Sequence, residues 1–381
     1  LHTNIGETER RRLRNAALAG ELSMLYVSPE RLCVGDLVPM LRQRLVLIAI
    51  DEAHCVSHWG HDFRPEYRQL MRVLDQVPAV PRMALTATAT PAVQDDICKQ
   101  LGLRDPLRLV GHVDRPNLIY RALSRRPGMK QMMEVIARHP KESGIVYAQT
   151  RRGVERLATA LAKEGVQCAG YHAGMEAGSR ARVQRDFVNE ALDVVVATIA
   201  FGMGIDRSNV RYVIHANSPK SLEHYQQEAG RAGRDGLPSE CVLLFSAADL
   251  AAHRNLAAKD GPLSPDRARA LDRQLRGIGR FAVAPVCRHR LLSEHFGQKC
   301  ATDNCGACDV CLGETSELPS DQALITAQKV ISAVWRSGGR YGAAHVVDVL
   351  TGKTSEQIKR AGHDKLTVFG LLTAAGPASV R

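Results

Sequence analysis

Ile48-Ala49-Ile50-Asp51-Glu52-Ala53-His54, followed closely by Trp59-Gly60-His61-Asp62-Phe63-Arg64-Pro65, is the stretch from which the fold is read. Residues 45–50 form an uninterrupted apolar run of buried-strand length. Two carboxylates stand at its carboxyl end, the edge where open α/β sheets place their ligands. One acid can hold Mg²⁺ on a nucleotide, and its neighbour can polarise a water for attack on the terminal phosphate. An Asp-Glu pair after a strand is common by itself. The indole, phenyl ring, imidazoles and guanidinium that follow are suited to stacking nucleobases and neutralising phosphates. Taken alone, the same rings also suit a surface turn packed into a core.

Outward from this stretch, strand-like and helix-like segments alternate. Strands are expected at 144–148, 166–171, 194–198, 210–216 and 241–245, and helices at 152–163, 177–189 and 221–228. That alternation predicts a parallel sheet with right-handed crossovers. Upstream, helices are expected at 7–23 and 95–101, short strands at 24–27 and 83–85, and a crossing between lobes at 110–120, with the boundary near Arg115.

The chain has 381 residues, enough for two or three domains with substantial cores. Its net charge of +11 favours polyanions such as nucleic acid. Charge alone would also fit a ribosome-associated or anionic-membrane-binding protein. The longest apolar runs are about six residues, far below the ~20 that span a bilayer. No signal-peptide pattern opens the chain, so no membrane partner is expected and a cytosolic location follows. Because the first residue is Leu1, the chain is expected to be a fragment.

Five of the ten cysteines fall between Cys287 and Cys311, a clustering that points to metal. Cys33, Cys55, Cys98, Cys168 and Cys241 are scattered and read as small buried hydrophobes. Cys305, Cys308 and Cys311 are each separated by two residues, so their thiolates can converge on one ion. Cys287 can complete a tetrahedral zinc site from a helix end. Counted from Cys300, however, the spacing is C-x4-C-x2-C, which also suits an iron–sulfur cluster.

Two stretches of the second lobe carry phosphate chemistry. Residues 197–206 end a strand with Thr198 and include Gly202 and Gly204 before Asp206, allowing close backbone approach to a phosphate or to the facing lobe. Residues 225–236 present Arg231 and Arg234 three apart among small residues, with Gln227 nearby. That spacing can aim both guanidiniums at one polyphosphate. A salt-bridged helix end is the plainer reading of the same residues.

The acidic motif Asp51–His54, the aromatic tract to Pro65 with Glu66-Tyr67, the arginine motif and the cysteine pattern together resemble the RecQ family of superfamily 2 DNA helicases. Two positions depart from the family's usual residues: His58 stands for Gln, and Ala148-Gln149-Thr150 for Cys-Asn-Ser. The resemblance implies an α/β fold of two RecA-like lobes with parallel sheets, the first incomplete (1–115 and 116–248). A helical zinc-binding module (249–317) and a partial winged helix (318–381) would follow. It implies ATP-dependent 3′-to-5′ translocation on single-stranded DNA with duplex unwinding, in repair or recombination. ATP, Mg²⁺ and Zn²⁺ would be the cofactors.

On that resemblance Asp51, Glu52, His54, Gln227, Arg231 and Arg234 are catalytic, with Arg234 as the arginine finger. Asp51, Gly204, Asp206, Arg231 and Arg234 hold the nucleotide. Ser28, Trp59, Phe63, Arg64 and Thr198 meet DNA, single-stranded or forked. Cys287, Cys305, Cys308 and Cys311 hold zinc. A single-strand-binding protein and repair factors are expected partners, in the bacterial cytosol or nucleoid. A phosphate loop GxxxxGK[ST] should precede Asp51 and does not; Gly352-Lys353-Thr354 lacks the first glycine and lies in the wrong region. As given, the chain is therefore expected to be inactive. An ATP-independent DNA-binding fragment and an RNA helicase are the alternatives.

Overall fold

The computed structural model describes residues 5–33, 37–57, 65–77, 79–126, 128–202, 205–259, 261–300, 302–315 and 320–373. They fall into two compact units, Leu1–Glu314 and Thr315–Arg381.

In the first unit the apolar run before Asp51 becomes strand β1 (Ile48–Ile50), paired in parallel with β2 (Arg82–Ala84). Backbone bonds extend the pairing: Leu85 donates to the Ile50 carbonyl and Ala53 to the Leu85 carbonyl, both at 2.9 Å. This continuation sets residues 86–88 beside the acidic motif. Ile50, Ala53 and Val56 pack against Leu70 and Leu74 of the helix Pro65–Leu74 and against Val93 and Ile97 of the helix Pro91–Gln100. Leu47, Ala49, Met83 and Leu85 on the opposite face of the pair are exposed.

Residues 24–27 do not form the expected strand. The alternation is real, since Met24 and Tyr26 point outward (69% and 81% exposed) while Leu25 and Val27 join a small cluster with Leu37 and Leu41. What is lacking among the described residues is a neighbouring strand to take up the backbone N–H and C=O groups, and alternation alone does not make a ladder.

Six parallel strands build the second sheet: β3 (Leu118–Ser124), β4 (Ser143–Tyr147), β5 (Cys168–Tyr171), β6 (Val194–Ala197), β7 (Val210–His215) and β8 (Ser239–Phe245), in the order β3-β8-β7-β4-β6-β5. β4, β6 and β7 are buried along their whole length, which is why they read as unbroken apolar runs. β4 also explains one glycine. A Cβ at Gly144 would overlap the Tyr212 ring, which lies across that strand. The helix Gly128–Arg138 was not among the expected elements, although Met129, Met132, Met133 and Ile136 repeat at helical spacing.

Beyond β8 the chain forms two helices with a break between them, Ala247–Ala257 and Pro265–Val283. Gly261 in the break has φ +122°, a backbone state that no helix tolerates. Ser264 restarts the second helix, its side chain accepting from the Arg267 amide, with Pro265 at the first turn. A short helix, Arg288–His295, then leads to the cysteine triplet.

The second unit holds three helices, Ser320–Arg336, Ala343–Leu350 and Glu356–Arg360, and a turn at His363–Lys365. Ala333, Val346, Val349, Leu350, Ile358, Val368 and Leu372 form its core.

Candidate ATPase site and zinc centre

The chain leaves β1 through an exposed Asp51, whose Oδ1 accepts the Glu52 amide at 2.8 Å. Glu52 takes a left-handed backbone (φ 48°) at the head of the 3-10 turn Ala53–Val56, a conformation that costs a non-glycine residue on the order of 1 kcal/mol. That kink turns the Glu52 carboxylate away from the strand line and towards His54. The buried His54 ring has Nδ1 3.2 Å from Glu52 Oε2 and 2.9 Å from Thr86 Oγ1. Thr86 Oγ1 in turn accepts the Thr88 amide at 3.3 Å. The imidazole thus ties the acidic pair to the Thr-Ala-Thr loop. Asp51, an exposed oxygen donor beside a second carboxylate, fits the hard, partly hydrated Mg²⁺ ion.

Ser28 caps the helix Pro29–Cys33: its Oγ accepts the Arg31 amide at 3.4 Å and its carbonyl accepts the Leu32 amide at 2.9 Å. Thr198, at the end of β6, donates its amide to the Tyr171 carbonyl (3.2 Å), and its Oγ1 accepts the Ala200 amide (3.4 Å). Trp59, Phe63, Arg64 and Gly204 lie outside the described residues.

In the second lobe the helix Leu222–Ala229 delivers the two arginines at its carboxyl end, with Gln227 half-buried on its last turn. Arg231 is buried and its Nη1 donates to the Gly202 carbonyl at 2.5 Å. A Cβ at Gly202 would stand 2.8 Å from Arg231 Nη2, so a larger residue there would push the end of that guanidinium aside. Arg234 Nη1 donates to the Ile205 carbonyl (2.9 Å) and to Asp206 Oδ1 (2.7 Å). Both guanidiniums therefore meet the chain shortly after β6, at Gly202 for Arg231 and at Ile205 and Asp206 for Arg234. The contacts of Asp51 and Glu52 described above stay in the first lobe, and those of the arginines stay in the second. Sequence reasoning missed the buried His215–Glu228 pair (2.8 Å) under the arginine turn. An acid on the inward face of a helix, opposite a histidine ending an apolar strand, is the signal that would have found it.

The Sγ atoms of Cys287, Cys305, Cys308 and Cys311 all lie within 4.8 Å of one another. Four thiolates about 2.3 Å from a central zinc stand about 3.8 Å apart, so the cluster fits a tetrahedral ion. Cys300 is not part of it, so the spacing counted from that residue does not describe the ligand set. Amides already face two of the sulfurs: Ala307 N lies 3.3 Å from Cys305 Sγ and Cys311 N 3.4 Å from Cys308 Sγ, bonds that favour thiolate. Burial pushes the Cys287 and Cys305 thiols up, so metal uptake must displace protons.

The cysteine loop is fastened to β3. Tyr120 N donates to the Ala307 carbonyl (3.1 Å), Asp309 N to the Tyr120 carbonyl (2.9 Å), and Ala122 N to Asp309 Oδ2 (2.8 Å). Arg288 forks onto the same buried Asp309 at 2.8 and 3.2 Å, the bidentate geometry that makes such a pair specific.

Residues 1–97 match the DEAD/DEAH box helicase family, 128–236 the helicase conserved C-terminal domain, 247–312 the RecQ zinc-binding family and 322–376 the RQC domain. The ATP-dependent DNA helicase RecQ of Pasteurella multocida is 43% identical over 96% of this chain and 57% of its own length. That of Haemophilus influenzae is 42% identical over 95% and 58%, and that of Bacillus subtilis 39% over 94% and 60%. The chain thus spans somewhat under two thirds of these relatives. Among solved structures, the DUF1998 helicase MrfA bound to DNA matches with TM-score 0.52 and 21% identity, over 72% of this chain and 43% of that one. No described helix is long and apolar enough to cross a membrane.

Proposed function

This chain belongs to the RecQ family of DNA helicases, and from that premise we propose that it supplies the motor of an ATP-dependent 3′-to-5′ DNA helicase that unwinds duplexes during repair or recombination. The observation that carries the reading is His54, whose single Nδ1 faces both Glu52 and Thr86. Such a contact lets the acidic pair respond to movement of the Thr86–Thr88 loop.

On this reading Asp51 holds Mg²⁺, which when bound draws charge from the phosphates, and Glu52 orients and deprotonates the attacking water. Arg234, with Arg231 and Gln227, meets the terminal phosphate, and Gly204 and Asp206 bind the nucleotide. Trp59, Phe63 and Arg64 sense single-stranded DNA close to the acids, while Ser28 and Thr198 contact its backbone. The four cysteines hold a structural zinc. Forked duplexes, a single-strand-binding protein and repair factors are the partners this reading entails, in the bacterial cytosol or nucleoid.

ATP hydrolysis measured with single-stranded DNA and RNA, in a form of the chain that includes a phosphate-loop segment, tests the proposal. Turnover stimulated by DNA and abolished by Glu52→Gln is expected. Stronger stimulation by RNA, or turnover indifferent to Glu52→Gln, overturns it.

A further inference from the structure

Residues 111–117 join the lobes without helix or strand, yet they are gripped from two sides. On one side stands the zinc module. The Gln298 side-chain amide donates through Nε2 to the Gly111 carbonyl (2.7 Å) and accepts the Val113 amide at Oε1 (2.9 Å). Both ends of one amide are used, which fixes its orientation. His289 Nδ1 lies 2.5 Å from Asp114 Oδ1.

On the other side stands the arginine turn. Arg115 Nη2 donates to the Gly233 carbonyl (2.6 Å) and the Ala232 carbonyl (3.2 Å), and Nη1 to the Gly230 carbonyl (3.5 Å). Asn117 Nδ2 adds bonds to the Gly233 and Leu237 carbonyls at 2.9 and 3.0 Å. Gln226 Nε2 reaches the Val113 carbonyl at 3.2 Å. Gly233 has φ +55°, and a Cβ there would sit 2.5 Å from Asn117 Nδ2, so the turn is shaped to admit these donors. A cation at the carboxyl end of a helix is also where the backbone dipole favours one.

We propose that Arg115 is a positioning residue for Arg231 and Arg234, and that the zinc module sets the turn's position through Gln298 and the linker. The turn between the two arginines has no strand ladder of its own: Ala232 donates back to the Ala229 carbonyl, Gly236 to the Gly233 carbonyl, and Gly233 and Asp235 donate to the Val210 and Ser208 carbonyls. The guanidinium the linker carries thus binds the Gly230 and Ala232 carbonyls from outside and shares the Gly233 carbonyl with the Gly236 amide. Displacement of a catalytic group by about 1 Å can cost a hundredfold in rate, so this clamp matters if the turn meets phosphate, and in that respect the inference rests on the reading above.

Hydrogen exchange followed by mass spectrometry on the zinc-loaded 381-residue chain tests it without nucleotide, so the outcome is separate from that of the hydrolysis assay. Arg115→Ala is expected to speed exchange across 230–236 by about tenfold while β4 and β7 stay protected, and Arg115→Lys to restore part of the protection. Gln298→Ala should speed exchange at 111–114 and, more weakly, at 230–236. That second effect should vanish when Arg115→Ala is already present, the mark of a shared path. Unchanged exchange at 230–236 in Arg115→Ala, uniform loosening of the whole lobe, or a Gln298→Ala effect confined to 111–114 overturns the proposal.

Discussion

Arg234 is half-exposed and its partner Asp206 almost fully so (36% and 91%). An ion pair so open to water is worth about 0–1 kcal/mol, little enough for a phosphate to replace the carboxylate. On the proposed reading, Arg234→Ala lowers kcat by roughly a thousandfold and leaves KM nearly unchanged, because a finger acts on charge that grows in the transition state. Steady-state kinetics separates the two, and a loss confined to KM would reassign Arg234 to nucleotide binding. Glu240 is the opposite case, a buried carboxylate whose charge belongs to the fold. Burial pushes its carboxyl up, but His139, Arg138 and Arg121 outweigh that and hold it down to about 2. A depressed carboxyl stabilises above its unfolded value near 4.5 and loses that contribution as pH falls toward 2. Urea midpoints between pH 5 and 2 should therefore fall more steeply for the natural chain than for Glu240→Gln, which starts less stable at pH 5.

Among the elements, β4 is the most tightly specified. Gly144→Ala drives a methyl into the fully buried Tyr212 ring, three atoms of which overlap the place where it would stand. A loss of about 1–3 kcal/mol, read as a lower urea midpoint at unchanged slope, is the expected cost. Strands of this kind were legible in the sequence because burial on both faces leaves an unbroken apolar run. Residues 24–27 misled because alternation reports only which side chains point inward, whereas a strand also needs a neighbour. The cysteine quartet was legible by spacing, but the exclusion of Cys300 needed the third dimension. Arg115 and Asn117 were visible only as a lobe boundary, since their partners lie more than a hundred residues away. His54 was named by motif, and its link to Thr86 could not be read from either segment alone.

At the scale of the whole molecule, the second sheet ends at β3 on one side, and Tyr120 there exchanges backbone bonds with Ala307 and Asp309 of the cysteine loop. Apart from Val310, what that loop sends into the core of the lobe is its cysteines, with Cys308 fully buried, so its shape depends on the four sulfurs being drawn together. Cys305→Ser or a strong chelator should release about one zinc per chain and let the loop fall away. The loss does not stop at the loop. A freed β3 offers a row of unpaired N–H and C=O groups that another chain's strand can take up. Bound zinc would thus also keep the neighbouring lobe in solution: chelation should produce concentration-dependent light scattering while β4, β6 and β7 remain folded, and refilling with zinc before the chains associate should prevent it.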